Sequence, residues 1–366
     1  MNCINTLKEL MLIKSDDSIR NNFEIINFIK DLFLSCDDIK ILSTEDSKNK
    51  SMLIGVNTKL DNCSGGLLFS GRINTVYPSN TDFHTYIKEG SIYGPGALCM
   101  KYFIACLSQA LPRLKKSPKP VIIAFPFVDQ SGVTGVKSII SYMQEHSIHP
   151  DLCIQGEPTR FSFLVKASGC YQYRMKISCS GGHASMCNVL SSPFYIAAEF
   201  VKQIQQLNQD QDLGIVNIAV MEGGRALNQI SRQCTVYYDV RTSSLDFKQR
   251  VSEIVEVLKQ KAEAMGNGMS LNNTILANSV PILDNRHSQW IKRLSPIASS
   301  GEPAMHAITE AGFYQELGID TLVFGAGDMR IAHSEMEHIK IEDLEKYTEA
   351  ICSIAEIYNK EMAEVL

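Results

Sequence analysis

The side chains able to do chemistry fall at the ends of apolar runs. Leu67-Leu68-Phe69 reads as a buried strand and leads into Gly71-Arg72-Ile73-Asn74-Thr75-Val76. After turn formers (Pro78, Ser79, Asn80, Gly90) comes Tyr93-Gly94-Pro95-Gly96-Ala97-Leu98-Cys99-Met100-Lys101. The run at 121–125 ends in Phe127-Val128-Asp129-Gln130-Ser131-Gly132, and Leu152-Cys153-Ile154 ends in Gly156-Glu157-Pro158-Thr159. Thr321-Leu322-Val323-Phe324 ends in Gly325-Ala326-Gly327, followed by Ala332-His333-Ser334-Glu335-Met336-Glu337. Ligands in α/β folds bind at such strand ends. Carboxylates, an imidazole and a thiol can move protons, hold a metal or attack a carbonyl. Arg72 can do none of these, because a guanidinium stays protonated and has no lone pair.

These residues need a scaffold to position them. Apolar residues recur at helical spacing through residues 1–35, and Ser15, Asp16 and Asp17 offer an N-cap for the second of two helices. Strands are predicted at 39–43, 51–56 and 66–70, and the wholly apolar 121–125 is of the kind that lies inside a parallel sheet. Helices are predicted over 99–112 and 133–146. Near Ser168 the pattern changes to alternation (Tyr171 to Cys179), the mark of a half-exposed antiparallel strand. A helix at 192–208, strands at 214–221 and 232–241 and a helix at 245–264 complete an inserted α+β unit. A terminal helix runs over 341–362. The expected fold class is α/β: a larger domain with a central, mostly parallel sheet (1–167 and 280–366) and an α+β domain at 168–279.

The 366 residues suffice for two domains, and 45% hydrophobic with 20% charged residues describes a globular chain with sizeable cores. A net charge of −5 leaves no basic footprint for nucleic acid or anionic membrane. No signal peptide is read at the N-terminus and no apolar run reaches the roughly 18 residues of a membrane span, so a cytoplasmic protein is expected. The 11 cysteines show no Cys-x-x-Cys pair, which argues against a disulfide framework or structural zinc knuckle.

The two frames around Gly71 and Gly96, with four further motifs in order, resemble the zinc aminoacylase and exopeptidase family. That family includes acetylornithine deacetylase, succinyl-diaminopimelate desuccinylase and glutamate carboxypeptidase. It writes the first segment Gly-His-x-Asp-Thr-Val and the second Gly-x-Gly-Ala-x-Asp-Met-Lys. Thr309-Glu310-Ala311 and the tail Phe324 to Glu337 are closest in style to acetylornithine deacetylases. The resemblance implies two zinc ions that polarise an amide carbonyl and supply hydroxide. It implies ligand slots at Arg72, Cys99 and Glu157 for one ion, and at Cys99, Gln130 and His333 for the other. Asp129 stands in the general-base slot, and Asn74 where an aspartate orients the first histidine.

Of those slots only Glu157 and His333 keep the family's letter, so the expected metal site is degenerate. Arg72 is expected to take the place of the first metal and to pair with Glu157 or Asp129. Gln130 is a weak neutral donor, and no cofactor is expected, with room for zinc only at one weak site. The resemblance also places Cys99 beside His333, with Asp129 nearby. It gives His183 a lid role reaching a partner subunit, hence a homodimer. It sets Asn228 and Arg241 on the substrate and its carboxylate, and Gly325 in the pocket wall. Four functions follow as expectations. The first is binding of an amino-acid-like or N-acyl amino acid ligand without standard zinc hydrolysis. The others are a single-metal amidohydrolase, a Cys99-dependent acyl-transfer enzyme acting on an amide bond, and a purely structural partner.

Overall fold

The computed structural model describes residues 2–15, 22–43, 50–75, 84–127, 133–209, 214–276, 279–298 and 309–364. Two compact units emerge, Met1–Lys166 with Asp284–Met305 and Glu310–Leu366, and Ala167–Leu283 with His306–Thr309.

In the first unit, described strands form a six-stranded sheet in the order Asp38–Ser43, Lys50–Gly55, Val121–Phe125, Leu67–Ser70, Leu152–Gln155, Asp320–Val323. The last four run parallel to one another. Val121–Phe125 was expected inside a parallel sheet. It pairs parallel to Leu67–Ser70 on one side and antiparallel to Lys50–Gly55 on the other. A wholly apolar run reports burial on both faces, and both pairings provide it.

Helices α1 (Cys3–Leu12), α2 (Phe23–Leu32), α3 (Lys101–Leu114), α4 (Thr134–Glu145), α7 (Gln289–Arg293), α8 (Ala311–Glu316) and α9 (Ile341–Glu364) accompany this sheet. The N-cap position of α2 is Asn22, not the expected Ser15, Asp16 or Asp17. Ser15 is buried, and the two aspartates lie outside the described residues. The Asn22 side chain pins the helix start to the sheet instead, donating to the Lys50 carbonyl at 2.7 Å and accepting from its N–H at 2.8 Å. No helix among the described residues is long and apolar enough to cross a membrane.

In the second unit, a four-stranded antiparallel sheet runs Gly214–Gly223, Gln233–Thr242, Gly169–Ser178, Ser270–Ile275. Helices α5 (Pro193–Leu207) and α6 (Leu245–Ala264) share a core with it. Serine caps start both helices: Ser192 accepts from the Phe194 N–H and Ser244 from the Phe247 N–H. Alternation predicted the central strand, whose Tyr173 stacks on Tyr238 across the ladder at 5.0 Å.

One packing device fixes the strand ends. Gly71 and Gly156 directly follow two neighbouring parallel strands, and the Gly156 N–H donates to Ser70 O at 2.9 Å. The Phe103 ring of α3 fills the space both glycines leave. A Cβ on Gly71 would stand 2.5 Å from the ring and one on Gly156 2.3 Å. Fully buried Phe103 thus sets how close α3 comes to the residues that follow each strand. Gly156→Ala should lower unfolding free energy by about 1–3 kcal/mol in a denaturant titration, by overpacking against an aromatic ring with no room to turn.

Candidate functional site

Arg72 leaves the Leu67–Ser70 strand one residue past Gly71, and Glu157 leaves the neighbouring strand one residue past Gly156. That parity brings them together. Arg72 Nη2 lies 2.5 Å from Glu157 Oε1 and 3.4 Å from Oε2 of Glu310, the residue just before α8. Gln155 donates from Nε2 to the same Glu310 oxygen at 3.2 Å. Glu157, Glu310 and Gln155 are buried, and the Arg72 side chain is 18% exposed. Burial works against the Arg72 charge, but Glu157 and then Glu310 outweigh it and hold the group further above its usual range. Burial pushes the Glu157 carboxyl up, with Glu310 adding repulsion and Arg72 opposing both. One guanidinium therefore faces two carboxylates. Two atoms of the cluster, Arg72 Nε and Gln155 Oε1, are buried without a hydrogen-bond partner among the described residues.

Beside it, Cys99 Sγ lies 3.3 Å from His333 Nε2 and 3.7 Å from the Asn74 carbonyl oxygen. Burial lowers the His333 pKa, with Glu337 opposing it and the Arg72 cation lowering it further. The loops carrying this pair are held by Glu337, which is fully buried. Its Oε1 accepts from the N–H groups of Gly96, Leu98 and Cys99 at 2.8–3.1 Å, and its Oε2 accepts from the His333 N–H at 2.9 Å. The clamp accompanies a His333 φ of 60°, in the left-handed region that few non-glycine residues adopt. Gly325 is packed tightly beside the cluster: a Cβ there would stand 2.3 Å from both the Glu157 carbonyl oxygen and Tyr102 Oη.

Asp129 and Gln130 lie outside the described residues. His183 and Asn228 belong to the second unit. Short strands there pair Gly182 with Ile230 and His183 with Gln229, and Ala184 N–H donates to Asn228 O at 3.0 Å. Both residues line an open groove of about 1110 Å³. Arg241, on the same unit's sheet, makes an exposed pair with Asp239 at 3.2 Å. Sequence reasoning gave no role to Glu310 or Glu337. Each sat inside a quoted motif, but spacing along the chain does not say that Glu310 meets Arg72 or that Glu337 turns toward residues 96–99. Among the described residues no three His, Cys, Asp or Glu side chains come together as a metal-holding group.

Two substitutions test this geometry. Arg72→Met should destabilise the fold by about 3–5 kcal/mol at neutral pH, because it leaves two buried carboxylates without a cation. The loss should shrink in acid. The raised Glu157 binds its proton more tightly folded than unfolded, so its contribution is present below the unfolded pKa and lost as pH rises through the folded one. Denaturant titrations across pH read this directly. Glu337→Gln should cost about 1.5–3 kcal/mol by turning an amide NH2 donor toward backbone N–H donors that the lost carboxylate oxygen accepted from, and should speed alkylation of Cys99 by loosening residues 96–99.

Comparison with known proteins extends the picture beyond the site. Acetylornithine deacetylase of Buchnera aphidicola (Acyrthosiphon pisum, strain Tuc7) is 27% identical over 350 residues, spanning 89% of this chain and 87% of its own. That of Myxococcus xanthus is 25% identical over 268 residues, 70% of each chain. Among solved structures, a Staphylococcus aureus tripeptidase superposes with a TM-score of 0.72 at 19% identity over 98% of both chains. A Bacillus subtilis protein described as a dinuclear metal binding peptidase of the M20 family gives 0.70 at 14% identity over 98% and 97%. These likenesses carry the fold. Residues 68–357, which contain Arg72, Cys99, Glu157, Glu310 and His333, match the model of peptidase family M20/M25/M40. The chain belongs to peptidase family M20/M25/M40.

Proposed function

We propose that this acetylornithine deacetylase-like chain binds a small amino-acid-like or N-acyl amino acid ligand and does not perform standard zinc hydrolysis. The observation that carries the reading is the 2.5 Å contact between Arg72 and Glu157. A two-ion centre needs converging donors with free lone pairs. Arg72 offers none and occupies a carboxylate oxygen that an ion would need. The described donors do not fit two ions: Cys99 and His333 make a two-donor pair, and Glu157 is committed to a cation. In this reading Arg72 replaces a metal's charge and keeps two buried carboxylates in place. Arg72 Nε and Gln155 Oε1, which have no hydrogen-bond partner among the described residues, supply a donor and an acceptor, the complement of a ligand with a carboxylate or amide oxygen and an amine. The reading also takes the chain to form a homodimer, with the exposed groove around His183 and Asn228 open to a second subunit.

A second reading has support in the 3.3 Å contact of Cys99 with His333, a thiol–imidazole pair suited to acyl transfer. The local backbone counts against it. A covalent intermediate needs N–H donors for its oxyanion, and the Cys99 N–H, with those of Leu98 and Gly96, is already given to Glu337.

Elemental analysis and a deacylation assay test the proposal on protein purified without a metal-affinity tag and dialysed against zinc. The expected result is zinc far below one equivalent per chain, no acetate released from N-acetyl amino acids, and a thermal upshift with an amino acid or its N-acyl form. More than about half an equivalent of zinc together with zinc-dependent acetate release would overturn it.

A further inference from the structure

We infer that Cys3 and Cys106 form a redox-active thiol pair, closing to an intramolecular disulfide that staples α1 to α3. Their sulfurs lie 3.7 Å apart in the core of the first unit, across 103 positions of sequence. A disulfide needs about 2.05 Å, so the gap to close is less than two ångströms. Cys3 is the first residue of α1, where one turn of helix can adjust, whereas Cys106 sits midway along α3.

The two sulfurs are unequal, which gives the pair an order of events. Cys3 is 8% exposed and Cys106 fully buried, so an oxidant the size of a hydroperoxide reaches Cys3 first. The hydrogen bond from Cys106 holds the Cys3 thiol below its ordinary value, against burial and the nearby Glu345, with Thr348 helping. The first-turn N–H groups of α1, a turn without acidic residues, favour a thiolate as well. Burial pushes the Cys106 thiol well up. It keeps its proton, with Leu344 O a second acceptor within reach at 3.4 Å.

In the first step the Cys3 thiolate attacks a hydroperoxide oxygen. The O–O bond breaks, the leaving hydroxide or alkoxide takes a proton, and Cys3 becomes a sulfenic acid. In the second step the Cys106 sulfur attacks the Cys3 sulfur, the S–O bond breaks, and water leaves with the Cys106 proton. Two thiols are oxidised and one hydroperoxide reduced. The staple would act close to the candidate site. The far end of α1 already meets the 94–101 segment, where Lys101 Nζ donates to Ile13 O at 2.7 Å and Met11 packs under Gly94.

The test is intact-mass and peptide mapping of reduced, desalted wild-type protein treated with one equivalent of hydrogen peroxide. The expected product is lighter by about 2 Da, contains a Cys3–Cys106 cross-linked peptide, and melts higher by on the order of 5 °C, all reversed by dithiothreitol. Cys3→Ser should abolish the mass loss and the melting shift and leave Cys106 unmodified. Three outcomes would overturn the inference: no mass loss, Cys3 stopping at the sulfinic acid, or a disulfide through other cysteines such as the exposed Cys187. The wild-type mass reading stands whether or not the variant folds.

Discussion

A half-buried guanidinium in contact with a buried carboxylate constrains the residues around it. Neither charge is stable alone in that setting, since removing either partner strands the other away from water. Arg72 and Glu157 therefore fix the spacing of the two strand ends that carry them. Glu310 adds a second carboxylate, so the cluster holds its cation more firmly than one ion pair would. The pair is poor evidence of extra stability, because its attraction is largely spent on desolvation. It is good evidence of position: a positive charge is built into the chain at this point and cannot dissociate.

The scaffold reads as a set of devices for holding that arrangement. The Phe103 ring between Gly71 and Gly156 sets the distance from α3 to the strand ends. The Glu337 carboxylate gathers four backbone N–H groups, so the segments bearing Cys99 and His333 answer to one buried anion. The same clamp uses up the donors a tetrahedral intermediate on Cys99 would need. One residue thereby ties both segments together and occupies those donors.

Much of this was legible in the sequence, for physical reasons. Apolar runs at 67–69, 121–125 and 152–154 marked buried strands because burial on both faces leaves no polar alternation to find. The side-chain chemistry of Arg72 was readable too, since a guanidinium lacks lone pairs in any fold. What the sequence concealed were partnerships between distant positions. Glu310 meets Arg72 across 238 residues and Glu337 meets Cys99 across 238, and no local periodicity encodes either. Asn22 escaped notice because its side chain serves the start of the Lys50–Gly55 strand and not its own helix. The antiparallel seat of Lys50–Gly55 was hidden for a related reason: a buried strand looks alike in both directions.

The central claim is that Arg72 stands where a divalent ion would otherwise be held. Crystals grown in excess zinc, with diffraction collected on both sides of the zinc absorption edge, test it most directly. The account expects the Arg72 guanidinium against Glu157 and no anomalous peak between them. Two neighbouring zinc peaks bridged by Cys99, with the Arg72 side chain swung out to solvent, would contradict it.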